Sequence, residues 1–135
     1  MTIHHTAHAR YELWYHLVFA TKYRKKVFAN PHTQREITEM LRAIASHYDM
    51  ALGEYECLPD HVHMTLAAPP RIAPSRAVQI LKSVSTKQLF ERYPWLNQQY
   101  WGGEIWAAGY FIRSIGPGTT KEQIERYIRE QSEEL

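Results

Sequence analysis

A single cysteine, Cys57, in 135 residues excludes an internal disulfide, so nothing in the chain calls for an oxidising compartment. Long hydrophobic runs are missing too. The longest near the N-terminus, LWYHLVFA from Leu13 to Ala20, falls far short of the roughly 20 residues a membrane helix needs, and His16 interrupts it. No basic segment precedes a cleavable apolar region, so a secretory signal is not expected and a cytoplasmic, membrane-free protein is. Internal repeats and low-complexity tracts are absent, which excludes solenoids and disordered linkers. Charge of either sign is scarce in the sum, at a net +2, and only 22% of residues are charged. What is plentiful is apolar and aromatic: 44% hydrophobic and 13% aromatic. A chain of this size and composition is expected to fold as one domain, residues 1–135, around one core.

The small net charge conceals an uneven distribution. Lys121 to Leu135 carries three basic and five acidic residues, so the basic excess lies upstream. Its densest cluster is TKYRKK, where Lys22, Arg24, Lys25 and Lys26 surround Tyr23. A solvated turn would have this composition; so would a phosphate-contacting patch with an aromatic platform.

Periodicity orders the elements. Glu12 to Ala20 is rich in aromatic and β-branched residues and reads as a strand. After Pro31, Ile37, Met40, Leu41, Ile44 and Ala45 recur at helical spacing. Ala51 to Cys57 and His61 to Ala68 read as an antiparallel pair joined at Pro59-Asp60. Ala77, Ile80, Leu81, Val84 and Leu89 predict a second helix whose exposed side carries Arg76, Lys82 and Lys87. GYFIRSIG reads as a last strand. GPGTTKEQIERYIREQSEEL then closes the chain as a helix, with Thr119 and Glu122 at capping-box spacing. The order β-α-β-β-α-β is that of the α+β ferredoxin-like, or RRM-like, antiparallel sheet, with an added C-terminal helix. Helices should cover one face and leave the other for function. Residues 1–10 are expected to be flexible, and His4, His5 and His8 there to have no role. Cys57 has no basic neighbour in sequence and reads as structural.

In the segment PDHVHM, His61 and His63 lie two apart on a strand and therefore share a face, with Val62, Met64 and Leu66 on the other. Paired neutral imidazoles can converge on a metal ion, though they also occur on strand faces without one. Tyr127 and Gln131, four apart on the last helix, share a face with Ile124 and Ile128; taken alone, they read as a half-buried core tyrosine and a boundary residue.

Together, TKYRKKVF, PDHVHM and ERYIREQ, in that order between about Leu13 and Gln131, resemble the single-tyrosine HUH transposases of the insertion-sequence 200/605 group and their relatives associated with repetitive extragenic palindromes. The resemblance implies a homodimeric endonuclease and strand transferase acting on single-stranded DNA with subterminal hairpins. His61 and His63 would be its HUH histidines, Tyr127 its nucleophile and Gln131 its third metal ligand, with Mg²⁺ or Mn²⁺ as the cofactor. Lys22, Tyr23, Arg24, Lys25, Lys26, Arg76, Lys82 and Lys87 are the expected DNA contacts. Gly116 and Gly118, flanking Pro117, would form the hinge of a mobile helix over 119–135 that completes the partner's active site. Two other classes fit the same fold: a hairpin- or RNA-binding module without catalysis, and a small metal-dependent nuclease in which water attacks.

Overall fold

The computed structural model describes residues 3–5, 9–99, 103–116, 126 and 129, the side chain of residue 99 excepted. The alternating register of the sequence becomes a four-stranded antiparallel sheet. Its strands are β3 (Trp14–Ala20), β4 (Ala51–Leu58), β5 (His61–Ala67) and β6 (Phe111–Ile115), in the order β4-β5-β3-β6. Helix α1 (Pro31–His47) joins β3 to β4, and α2 (Pro74–Arg92) joins β5 to β6. This is the expected α+β ferredoxin-like order. Two features were not anticipated: β1 (His4–His5) pairs with β2 (Arg10–Tyr11) as a short ribbon, and a small helix, α3 (Leu96–Gln99), follows α2.

Local chemistry explains where the helices begin. Proline opens both, where its missing N–H costs nothing, and at α1 the Asn30 side chain accepts from Thr33 N–H at 2.9 Å. The core lies between helices and sheet. Leu17 and Phe19 of β3 and Val62, Met64 and Leu66 of β5 turn to the same face and pack with Ile37, Leu41, Ile44, Ala77 and Leu81 of the helices. The buried Ser85 of α2 accepts from Trp106 Nε1 at 2.9 Å, which ties the 103–110 segment to the helix layer.

The pairing of β4 with β5 slips between Leu52 and Tyr55, and Gly53 sits in that irregularity. A methyl group there would overlap Thr65 Oγ1 and stand 2.9 Å from the Trp14 ring. Glu54 N–H also donates to the same Thr65 oxygen at 2.8 Å. Gly53→Ala is therefore expected to destabilise the domain by about 1–3 kcal/mol, the usual cost of overpacking, measured as a lower denaturation midpoint. An unchanged midpoint would show that the strand relaxes freely there.

Candidate active site

The histidines come out on the sheet face away from the helices. Residues directly opposite one another in an antiparallel pair share a face, and His63 stands between Val18 of β3 and Glu56 of β4, while His61 stands between Ala20 and Leu58. The two rings lie 6.3 Å apart between centroids, tilted by 29°. They are outward but not open, with side chains only 12% and 14% exposed.

Each imidazole is held by a carboxylate. Asp60 Oδ1 lies 2.8 Å from His61 Nδ1, and Glu56 Oε2 lies 3.1 Å from His63 Nε2. The second is a charge contact across strands. The first is a hydrogen bond; an ionised carboxylate only accepts, so His61 Nδ1 carries the proton and a lone pair is left at its Nε2. Histidine ligands in metal sites are held in this manner, one ring N–H on a carboxylate and the other nitrogen turned to the ion. Burial, aided by His61 and opposed by Glu56, holds His63 below the ordinary imidazole value, so the ring is neutral and able to bind a cation near neutral pH. For Asp60, hydrogen bonds from His61 and Arg24 outweigh its partial burial and keep the carboxyl below its usual range.

Among the described residues no group of three His, Cys, Asp or Glu side chains could hold an ion, so an ion at this pair would need a further ligand from elsewhere. Gln131, expected as that ligand, and Tyr127, expected as the nucleophile, lie outside the described residues, as do Pro117, Gly118, Thr119, Glu122, Ile124, Ile128 and His8. Arg126 and Arg129 are helical and exposed. Gly116 has no positive φ, and a side chain there would meet nothing within 4 Å.

Sequence reading missed a third histidine. His16 of β3 stands opposite Thr65 and Arg113 on the same face, edge-on to the His63 ring at 6.3 Å and against Phe111 at 6.2 Å. It is 3% exposed, and neither ring nitrogen has a hydrogen-bond partner among the described residues. Burial, with smaller contributions from His63 and Arg113, pushes its pKa down to about 4. A buried imidazole with two unsatisfied nitrogens is costly, which sets it apart from an ordinary core residue. The signal available in the sequence was an outward strand position, in phase with Trp14 and Val18, occupied by histidine. Asp60 and Glu56 were missed as well, because the one was read only as a turn residue and the other meets His63 only across strands.

The basic cluster forms a 3₁₀ turn over Lys22–Arg24 directly after β3. Tyr23 at its apex is 76% exposed, and Lys22 Nζ sits over its ring at 5.6 Å. Lys22 also pairs with Glu104 at 3.8 Å, and Arg24 with Asp60 at 3.0 Å. On α2, Arg76 and Lys87 are exposed as expected, the Arg76 guanidinium donating to Gln79 Oε1 at 2.9 Å. Lys82 is different, and its expected place on the exposed side of the helix is corrected. It is half-buried, and its ammonium donates to the carbonyls of Ala107 at 2.7 Å and Gly109 at 2.9 Å. Burial lowers its pKa against the pull of Glu104. Three backbone acceptors in a bend satisfy an ammonium better than a solvated helix face, so Lys82 anchors the segment leading into β6.

Cys57 is half-buried, and burial pushes its thiol up to about 11, which fits the structural reading. His4 stacks on Tyr11 in the terminal ribbon. No described helix is long and apolar enough to cross a membrane.

Residues 9–131 match the family described as "Transposase IS200 like". The chain is 36% identical over 128 residues to the transposase for insertion sequence element IS200 of Salmonella typhimurium, spanning 95% of this chain and 82% of that protein. It is 36% identical over 121 residues to the ISDra2 transposase TnpA of Deinococcus radiodurans, spanning 90% and 85%. Among solved structures, a candidate transposase from Deinococcus radiodurans superposes with a TM-score of 0.76 at 34% identity, over 95% of this chain and 97% of that one. A REP-associated tyrosine transposase bound to a REP hairpin gives a TM-score of 0.55 at 14% identity, over 98% and 74%, a likeness of fold alone.

Proposed function

Because this chain belongs to the IS200-like transposase family, we propose that it cuts and rejoins single-stranded DNA at hairpin-bearing ends, with Tyr127 as nucleophile and His61, His63 and Gln131 around a divalent cation. The observation that carries the reading is the pair of imidazoles on the sheet face away from the helices, each with one nitrogen beside a carboxylate and, at His61, a lone pair left at Nε2. Asp60 and Glu56 orient the rings. A divalent cation, Mg²⁺ or Mn²⁺, would supply polarisation of the scissile phosphate, and two nitrogens with one amide oxygen would leave it positions for phosphate and water.

Tyrosine is a weak nucleophile at neutral pH, with a reference pKa of about 10, so the phosphate must be made electrophilic before attack. The Tyr127 hydroxyl then gives up its proton as its oxygen bonds to phosphorus, the bond from phosphorus to the 3′ oxygen breaks, and that oxygen takes up a proton. A 5′-phosphotyrosine and a free 3′-OH result. One phosphodiester-type bond has replaced another, so a second 3′-OH can reverse the step without a nucleotide cofactor.

Denaturing electrophoresis of labelled single-stranded DNA with Mn²⁺ tests the proposal. A transposase leaves a protein-DNA adduct. Cleavage without an adduct would make the protein a nuclease that uses water, and intact DNA would make it a binding module.

The basic turn supports a DNA partner, as does the hairpin held by the REP-associated neighbour. Lys22, Lys25 and Lys26 should neutralise backbone phosphates. Replacing all three with Gln is expected to flatten the slope of log affinity against log salt by about 0.7 per lost contact on single strands. An unchanged slope would return the cluster to a solvated turn.

A homodimer with composite sites is part of the proposal, Tyr127 and Gln131 of one subunit meeting His61 and His63 of the other. Mixing Tyr127→Phe with His61→Ala subunits should then restore one working site per heterodimer, although each variant alone is inactive. Heterodimers that demonstrably form and never cleave would place the whole site within one chain.

A further inference from the structure

We propose that Arg24 is a positioning residue of the histidine pair: through Asp60 it fixes the tautomer of His61 and so sets how tightly the pair holds a cation. The inference rests on the metal reading above but reaches a residue which that reading leaves among the DNA contacts.

Two neighbouring residues of the basic turn, Tyr23 and Arg24, have φ of 60° and 52°. Neither is glycine, and side chains rarely adopt this left-handed backbone. A turn that merely displays cations to solvent has no need of it; strain of this kind persists where surrounding contacts over-determine it. Those contacts lead to the turn before β5. Thr21 N–H donates to the Asp60 carbonyl at 2.9 Å, and Phe28 N–H to the Pro59 carbonyl at 3.0 Å. The Thr21 hydroxyl is shared between the carbonyls of Lys25 at 2.7 Å and Asp60 at 3.1 Å. The basic turn is thus fastened at both ends to Pro59-Asp60, immediately before the first histidine.

The side chains complete the link. Arg24 Nε donates to Asp60 Oδ2 at 3.0 Å, and His61 Nδ1 donates to Asp60 Oδ1 at 2.8 Å. Both oxygens of one carboxylate are used, one to hold it and one to hold the ring. The Arg24 contact is a single hydrogen bond from Nε, whose N–H direction is fixed in the guanidinium plane, whereas an ammonium's donors rotate. With Asp60 held, the proton stays on Nδ1 and the Nε2 lone pair stays turned to the cation. Without Arg24 the carboxylate can rotate, the alternative tautomer becomes accessible, and Nε2–H cannot ligate. An exposed ion pair that served stability alone would matter little.

Long-range ¹H–¹⁵N correlation of the imidazole nitrogens in the metal-free protein reads the tautomer directly. The wild type should show His61 as Nδ1–H, and Arg24→Gln a mixture of both tautomers, with the amide spectrum confirming the fold. Co²⁺ affinity, read from its visible absorption, should fall at least about tenfold in Arg24→Gln, within the range for loss of a partner that orients a metal ligand. Arg24→Lys should lose comparable affinity while keeping the salt slope of DNA binding, since its charge is retained. Asp60→Asn sets the upper limit of the effect. An unchanged His61 tautomer in Arg24→Gln overturns the proposal, whatever the cation does. Co²⁺ binding that ignores His61→Ala and His63→Ala would instead sink the metal reading, and the tautomer would still report what Arg24 does to His61.

Discussion

Tyr127→Phe is expected to fold, bind hairpin DNA as the wild type does, and form no covalent adduct. The substitution keeps the ring and deletes one oxygen, the atom to which the phosphate would be transferred. Without it no phosphotyrosine can form, and any remaining strand cleavage must use water. Cleavage with rejoining should fall by a factor on the order of 10⁴ or more, as when other enzymes lose their nucleophile. Two measurements separate the possibilities: a denaturing gel for the adduct, and a non-denaturing one for binding. A covalent adduct formed by Tyr127→Phe would sink the assignment. Loss of binding and adduct together would point to a folding defect, which Tyr127→Leu and a thermal melt would expose.

The second large effect concerns the cation. Neutral imidazoles and an amide carry no charge that could replace a cation's on the scissile phosphate. EDTA, or His63→Ala, should therefore reduce cleavage by on the order of 10²–10³ or more, the scale of losing one electrostatic stabiliser of a transition state. DNA binding through the basic turn should persist. His63→Ala also removes the partner of Glu56 and the ring against which His16 stands, so its thermal stability should be measured beside its activity. Restoration of cleavage in the chelated wild type by added Mn²⁺, with no such rescue of His63→Ala, is the expected pattern. Undiminished cleavage in excess EDTA would show the site to be misread.

Much of this molecule is legible along the chain because its rules are local. A period of two put His61 and His63 on one face and Val62 and Met64 on the other, and burial of the latter two follows. Helical spacing from Ile37 to Ala45, with proline ahead of it, marked α1. The limits show equally well in single residues. Lys82 lies on the polar side of a helical pattern, yet its ammonium is taken up by the carbonyls of Ala107 and Gly109, 25 residues or more along the chain. A helical wheel has no means of representing that loop.

The sequence by itself determined the order of the four sheet strands and the two helices between them, the two faces of β5, the paired histidines and the family resemblance, since all of these depend on spacings of a few residues. Only the tertiary structure decided which carboxylate meets which ring, that His16 is buried beside His63 with no hydrogen-bond partner among the described residues, and that the strained basic turn is fastened to Asp60. Those facts depend on register: β3 against β5, β4 against β5, and the turn after β3 against the turn before β5. Register is settled by the summed packing of whole strands, and a shift of one residue would reverse every side chain.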